Sequence, residues 1–241
     1  MCSVSVVMAT YNGEKFIAQQ LASIIQQLCD DSEIIISDDG STDKTIDIIK
    51  SFNDKRIKLV ANTEKGLILN FQNALKKAAG NIIFLSDQDD VWLPGKVETC
   101  KNFLKQYHLV VTDAKVVNED LSALNMSLFQ VYHSRKGIIK NLMQNSFIGC
   151  CMAFRKEILP IALPFPAKIP MHDIWLGFIA EMFFSVHFIK DELILHRRHS
   201  ANQSTTFNKS KYSFFQKLKF RINTIKYIPL LLQRKYLMAR Q

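Results

Sequence analysis

The 241-residue chain lacks any window approaching ~18 uninterrupted apolar residues, which argues against a transmembrane helix. It lacks zinc-type C-x-x-C spacing. Its five cysteines, Cys2, Cys29, Cys100, Cys150 and Cys151, are an odd number that reads as reduced core thiols rather than a disulfide framework. Neither G-x-G-x-x-G after the first strand nor G-x-x-x-x-G-K-[ST] occurs, so the usual dinucleotide and P-loop phosphate cradles are excluded. A nucleophile elbow is missing, as are internal repeats and low-complexity segments. The chain enters "SVSVVMATYN" without a basic leader region or a small-residue cleavage site, from which a cytoplasmic protein is expected. Acidic residues are missing after Glu192, where Arg197, Arg198, Lys209, Lys211, Lys217, Lys219, Arg221, Lys226, Arg234, Lys235 and Arg240 follow. Those cations exceed the net charge of +9, so the basicity belongs to a tail.

What is present is hydrophobic content of 48%, enough for a sizeable core. Apolar runs of strand length alternate with helix-period stretches. "VSVVMAT", "EIIIS", "IKLVA" and "NIIFLS" read as strands, separated by "EKFIAQQLASIIQQL", a helix through Ile46, Ile49 and Phe52, and "GLILNFQNALKKAAG". A fourth helix is expected from Pro94 to about Tyr107. This alternation implies parallel β-α-β units and a sheet covered on both faces, with ligands beyond the carboxyl ends of the strands. Three polar sets end strands on that edge: Thr10 to Asn12, Asp38 to Asp43, and Asp87 to Asp90. Downstream, "LVVTDAKVV" reads as a strand pair or one bent strand, residues 119–144 as a loop, and "FIGCCMAFRK" as a strand. "HDIWLGFIAEMFF" reads as an apolar helix preceded by His172-Asp173, and "SVHFIKDELILHRRH" as two short strands.

Asp87-Gln88-Asp89, with Asp90 beside it, is a D-x-D cluster at a strand end. Crowded carboxylates repel unless a cation or hydrogen bonds neutralise them, and hard divalent cations take such oxygen ligands together with substrate phosphates. An acid-decorated helix N-terminus is the competing explanation. "SDDGSTD" is likewise either a capped turn or a base-reading site, where Asp39 can accept a hydrogen bond from a pyrimidine N3–H. Trp92 and Trp175 each lie close behind an acid and suit either a sugar pocket or the core.

The series "VSVVMATYNG", "IIISDDGSTDKT", "NIIFLSDQDDVWLPGKV", "HDIW" and "RRHSANQS" resembles the inverting glycosyltransferases of family 2 with the GT-A fold, over roughly the first 205 residues. The resemblance implies an α/β, Rossmann-like, mainly parallel central sheet flanked by helices, divided into residues 1–113 for nucleotide and 114–207 for acceptor. It implies Mn²⁺ or Mg²⁺ as cofactor and a nucleoside-diphosphate sugar as donor. Thr10 and Tyr11 would frame the base, and Asp39 would read its N3–H. Asp89 would bind metal, Asp87 would lie nearer the ribose, and Asp90 would be an extra acid of the donor site. Asp173 would be the catalytic base, with His172 standing where many members have an acid. In the Arg197, His199, Asn202 run, His199 would touch the metal or diphosphate, with His196 a competitor, and Arg197 or Arg198 would steady the diphosphate. "SDQDDVW" with "RRHSANQS" resembles a rhamnosyltransferase-like subgroup, suggesting dTDP-rhamnose, with a UDP-hexose or UDP-N-acetylhexosamine donor left open. The acceptor would be a glycan or lipid-linked hydroxyl in bacterial surface polysaccharide synthesis. A nucleotidyltransferase and a non-catalytic assembly subunit are the rival classes.

The tail, residues 208–241, sets Phe214, Phe215, Leu218, Ile222 and Ile225 on one helical stripe with Lys217, Lys219, Arg221 and Lys226 around it. Pro229 interrupts and "LLLQRKYLM" resumes. Such a segment suits an anionic membrane surface, or packing on its own domain or a partner. Groove-reading and base-stacking motifs for nucleic acid are missing. The expectation is a peripheral protein at the inner face of the cell membrane.

Overall fold

The computed structural model describes residues 3–199 and 213–240. Its first half follows the predicted alternation: β1 (Val4–Thr10), α1 (Ile17–Ile25), β2 (Glu33–Asp38), α2 (Thr45–Ser51), β3 (Ile57–Ala61), α3 (Leu67–Lys77) and β4 (Ile82–Ser86). All pairs here are parallel, in the order β3-β2-β1-β4. Helices cover both faces, so β1, β2 and β4 are buried along their whole lengths, which is why they read as unbroken apolar runs. The chain leaves β1 toward β2 and β3, then returns to β4 on β1's other side. That reversal makes the carboxyl ends of β1 and β4, at Thr10 and Ser86, the topological switch point where such sheets bind ligands.

The second half comprises β5 (Val91–Trp92), α4 (Lys96–Phe103), β6 (Leu109–Val117), β7 (Ala123–Ser127), α5 (Leu128–Tyr132), α6 (Ile138–Met143), β8 (Met152–Arg155), α7 (Leu159–Ala162), α8 (His172–Phe183) and β9 (Val186–Arg197). Beyond β4 the sheet runs β8-β6-β9-β5, with β7 on β6. Only β6–β9 is parallel there; β4–β8, β6–β8, β5–β9 and β6–β7 are antiparallel. The sheet is therefore all-parallel from β3 to β4 and mixed beyond it, and most of its paired residues are in parallel register, as expected. "SVHFIKDELILHRRH" forms one twelve-residue strand rather than two. The polar break at Lys190 to Glu192 is a register shift against β6, not a turn. "LVVTDAKVV" is a single strand. Residues 119–144 carry β7, α5 and α6, where a loop was expected; the capping box between Ser127 and Gln130 starts α5. Helix α4 begins at Lys96, behind the left-handed Gly95, and α8 begins at His172 rather than after Asp173.

The C-terminal segment forms α9 (Phe214–Lys226) and α10 (Ile228–Met238), breaking beside Pro229. α10 is seated on the body: Leu231 is fully buried, and Arg234 donates to the carbonyls of Ile161, Ala162 and Pro164 at 2.9, 3.3 and 3.0 Å. No helix among the described residues is long and apolar enough to cross a membrane. Cys29, Cys100, Cys150 and Cys151 are free thiols, and Cys2 lies outside the described residues.

Candidate active site

The turn after β2 is organised by Asp38. Its Oδ1 accepts from the Gly40 and Ser41 amides at 2.9 and 2.8 Å, and its Oδ2 from the Thr10 and Ser41 hydroxyls at 3.1 and 2.5 Å. Thr10 is thereby buried and committed to the turn, while Tyr11, 55% exposed, stands open at the switch point. Asp39 is half-buried; its carboxylate accepts from Asn62 Nδ2 at 2.9 Å and from the Gly66 amide at 3.0 Å. Gly66 has φ +110°, which brings its N–H to Asp39 and which a side chain would strain.

At the end of β4 the middle residue of the D-x-D is the mechanical link. Gln88 Oε1 accepts from the Tyr11 amide at 3.0 Å and its Nε2 donates to the Tyr11 carbonyl at 3.1 Å. The side chain thus bridges β1 and β4 where their backbones part. Gly13 leaves it room, since a Cβ there would lie 2.4 Å from Gln88 Oε1. Gln20 Nε2 fixes the same loop through Ser86 Oγ (2.8 Å) and the Asp87 carbonyl (3.1 Å). Neither glutamine was singled out from sequence, because neutral amides carry no charge pattern. Position inside D-x-D was the one signal for Gln88.

The three carboxylates are crowded: ligand oxygens of Asp87, Asp89 and Asp90 lie within 4.8 Å of one another. Burial, then the charges of Asp90 and Asp89, raise the Asp87 carboxyl well above its usual range, and Asp173 adds to the rise. Asp90 is fully buried, yet its carboxyl is lowered: burial opposes ionisation, but the charge and hydrogen bond of His196 outweigh it. Asp90 Oδ1 meets His196 Nδ1 at 3.0 Å and the Arg197 amide at 3.1 Å, while Oδ2 is buried without a protein partner. Burial would lower His196, but Asp90 holds it up at about 9.

The end of β9 supplies the other wall. His199 Nε2 lies 2.8 Å from Asp89 Oδ2, with its ring 4.7 Å from that of Phe16. Arg197 is 3% exposed. Its guanidinium donates to the Asp89 carbonyl (2.9 Å), Gln19 Oε1 (2.6 Å) and the Glu119 carbonyl, and lies over Phe16. This is the position of a tether between β9, α1 and the acidic loop, not of a cation held open for phosphate as the sequence suggested. Asn202 lies outside the described residues.

Asp173 sits in the first turn of α8. Its Oδ1 accepts from the Ile174 amide at 2.7 Å and Oδ2 from the Gly149 amide at 3.1 Å, and burial pushes its carboxyl up to about 6. His172 turns inward instead: it is 4% exposed, stacks on Phe71 with centroids 3.8 Å apart, and burial lowers it to about 3. Trp92 and Trp175 are 1% and 0% exposed, and Trp175 Nε1 donates to the Ala162 carbonyl. Both belong to the core, which removes them from a sugar pocket.

The donor set fits a hard divalent cation. It offers carboxylate oxygens and one imidazole nitrogen converging at a strand end, with the Asp90 Oδ2 lone pairs unspent. Two histidines face the acidic loop: His196 Nδ1 meets Asp90 and His199 Nε2 meets Asp89. Asp173 lies near enough to this acidic cluster for its charge to help raise the Asp87 carboxyl.

Solved structures share this architecture. TarS of Staphylococcus aureus in complex with UDP-GlcNAc superposes with a TM-score of 0.73 at 18% identity, covering 92% of this chain and 66% of that one. A Pyrobaculum calidifontis mannosyltransferase in complex with GDP-Man and Mn²⁺ gives 0.64 at 19% identity, covering 98% and 69%. These likenesses establish the GT-A fold. An uncharacterized glycosyltransferase of Haemophilus influenzae is 37% identical over 167 residues, 68% of this chain and 66% of its own length. The glucosyltransferase WfgD of Escherichia coli is 29% identical over 184 residues, 74% and 70%. The dTDP-rhamnosyl transferase RfbG of Shigella flexneri is 30% identical over 221 residues, 81% and 73%. The chain spans just under two thirds of the Haemophilus relative's length and of the TarS chain's. Residues 5–160, from the first strand through the acidic loop into α7, match the model of Glycosyl transferase family 2, and the chain belongs to that family.

Proposed function

We propose that the chain catalyses inverting transfer of a sugar from a nucleoside-diphosphate donor to a hydroxyl of a glycan or lipid-linked acceptor, in bacterial surface polysaccharide synthesis. The observation that carries this reading is the cluster of Asp87, Asp89 and Asp90 at the end of β4, with Asp173 in the first turn of α8 near enough to influence it. An acceptor hydroxyl attacks the anomeric carbon while the bond from that carbon to the diphosphate oxygen breaks on the opposite face. The hydroxyl proton passes to a carboxylate oxygen of Asp173. The Ile174 and Gly149 amides occupy one lone pair on each oxygen and fix the carboxylate's direction, leaving lone pairs for the proton. A base of pKa near 6 is ionised at neutral pH and still basic enough to accept a proton as attack proceeds.

Asp89 and His199, with Asp87 and Asp90, would hold Mn²⁺ or Mg²⁺, which when bound neutralises charge on the departing diphosphate. Asp39 reads the pyrimidine N3–H, and Asn62 and Gly66 hold its carboxylate for that contact. Tyr11 lines the base, with Thr10 supporting it from behind. Arg197 serves by tethering the Asp89 loop. Names of relatives point to pyrimidine donors: WfgD is a UDP-Glc enzyme acting on a GlcNAc-diphosphoundecaprenol, and RfbG is a dTDP-rhamnosyl enzyme. The donor here is therefore dTDP-rhamnose or a UDP-hexose. The site of action is the inner face of the cell membrane, reached from the cytoplasm.

Incubation with a panel of UDP-, dTDP- and GDP-sugars, with Mn²⁺ or Mg²⁺ and then chelator, tests the reading through released nucleotide. Release from one donor, lost in Asp89→Ala, is expected. Release of pyrophosphate in place of nucleoside diphosphate would overturn it in favour of nucleotidyl transfer.

A further inference from the structure

Helix α9 carries its apolar stripe outward. Leu218, Ile222 and Ile225 recur at helical spacing and are 39%, 55% and 46% exposed, whereas Thr224, on the inner side, is 2% exposed. A helix packed for the benefit of its own core shows the reverse arrangement. A second exposed apolar pair lies close by: Ile139 and Met143 of α6, one turn apart, are 72% and 69% exposed. Arg221 of α9 joins the two helices. Its Nε and Nη2 donate to the carbonyls of Leu142 and Met143, both at 2.8 Å, capping the last turn of α6. The two exposed apolar sets therefore lie on neighbouring helices.

Charge distinguishes the occupant. Arg135, Lys136 and Lys140 are exposed around α6, and Lys219 and Lys226 around α9. The sequence holds no acid between Asp120 and Glu157, and none after Glu192. Glu181 of α8, which contacts α6, turns inward to the Gly137 amide and Asn141 Nδ2 at the start of α6. A second copy of the chain would set the cations of α6 and α9 against their own kind, with no acid on either helix to pair them, which electrostatics disfavours. Exposed apolar side chains ringed by Lys and Arg suit the headgroup boundary of an anionic bilayer.

We infer that α6 and α9 together form the face that docks this chain on an anionic lipid surface. The inference deepens the proposed reaction by orienting it, and rests on that reading only for its purpose. Glu181 ties α6 to α8 eight residues from Asp173, about 12 Å along the helix. The docking face is thus built onto the helix that presents the base, and a lipid-linked hydroxyl would arrive on that side.

The test is co-sedimentation of the full chain with phosphatidylcholine vesicles, with and without phosphatidylglycerol. Binding to the anionic vesicles alone is expected, falling roughly fivefold in each of Lys219→Gln and Lys226→Gln. Ile222→Glu and Ile139→Glu, both at exposed positions, should each weaken binding about tenfold or more while circular dichroism stays unchanged. Equal binding to both vesicle types, no binding, or full binding by Ile222→Glu overturns the inference. A dimer in solution that Ile222→Glu dissociates also overturns it, assigning the face to a second copy. Nucleotide release is followed in the same preparations. Release without vesicle binding defeats this inference and leaves the reaction standing, and binding without release does the opposite.

Discussion

Carboxylates end both β2 and β4, and the two sets differ in what surrounds them. After β2, Asp38 and Asp43 are encircled by donors: amides of Gly40, Ser41, Glu14 and Thr45, and hydroxyls of Thr10, Ser41 and Thr45. Burial opposes ionisation of Asp43, but the Thr45 hydroxyl and these amides outweigh it and lower its carboxyl. After β4, Asp87, Asp89 and Asp90 are set against one another, and one oxygen of Asp90 has no protein partner. The first set shapes a loop; the second is a crowded acidic cluster with the ligand atoms that a metal ion could take. Residue type and strand-end position are shared, so local donors decide the role.

The largest test of that contrast is Asp173, a carboxylate near the second set. Asp173→Asn should lower kcat by ~10²–10⁴-fold with donor affinity nearly unchanged, since a general base acts in the transition state. Substantial turnover at saturating substrate would refute its role. In the wild type kcat/KM should rise with pH through a midpoint near 6. Stability should move the other way. A carboxyl raised from 3.8 to about 6 binds its proton more tightly folded than unfolded, so stability falls as pH rises through that window, by roughly 3 kcal/mol. The asparagine variant should lack that decline, which melting at a series of pH values would reveal.

The next effect concerns the Asp90–His196 pair. His196 is raised from 6.5 to about 9, so its stabilisation is whole below 6.5 and fades as pH rises through about 9. Asp90 is lowered, so its share is present above 3.8 and lost as pH falls below it. His196→Phe leaves a buried carboxylate beside Asp87 and Asp89 and should cost ~3–5 kcal/mol near neutrality. Its signature is a reversed slope: the variant should gain stability on mild acidification as Asp90 takes a proton. Denaturant melts on either side of pH 7 measure this, and an unchanged slope would mean that the pair is not ionised.

Sequence made the first half readable because its contacts are near in the chain and periodic. Strands buried on both faces are continuous apolar runs, and Asp39, Asp87, Asp89 and Asp173 could be proposed from motif context. The second half depends on pairings between distant segments. β6 and β9 pair in parallel across most of their length, so the polar Lys190 to Glu192 stretch looked like a turn until β6 was placed beside it. Arg197 shows the same limit within the site. Its charge suggested phosphate, but the carbonyls of Asp89 and Glu119 that hold it are far off in sequence and have no side-chain signature. His172 looked like a substituted acid and is a neutral ring stacked in the core.

A smaller effect probes how the two carboxylate sets are coupled. Gly13→Ala would push a methyl group to 2.4 Å from Gln88 Oε1, so the amide must swing away and release both Tyr11 bonds. At about 1 kcal/mol per hydrogen bond, nucleotide affinity should fall some five- to thirtyfold. Gln88→Ala should cost as much by itself. In the double variant the two costs should not add, because the methyl group then meets nothing that matters to Tyr11. Additive losses in a nucleotide titration would show that Gly13 and Gln88 act separately.

The smallest predicted effect is the control that gives the contrast its meaning. In Asp38→Asn the remaining carbonyl oxygen can keep the Gly40 and Ser41 amides, and the new NH₂ can face the Thr10 and Ser41 hydroxyls. Each hydroxyl can rotate to accept where it once donated. Every bond therefore survives with its direction changed, and the loss should stay below about 1 kcal/mol. The substitution that stops turnover at Asp173 should thus be nearly silent at Asp38, although Asp38 is the more deeply buried in hydrogen bonds. A large loss of stability in Asp38→Asn would mean that the turn needs negative charge itself, and the separation between loop-shaping and clustered carboxylates would collapse.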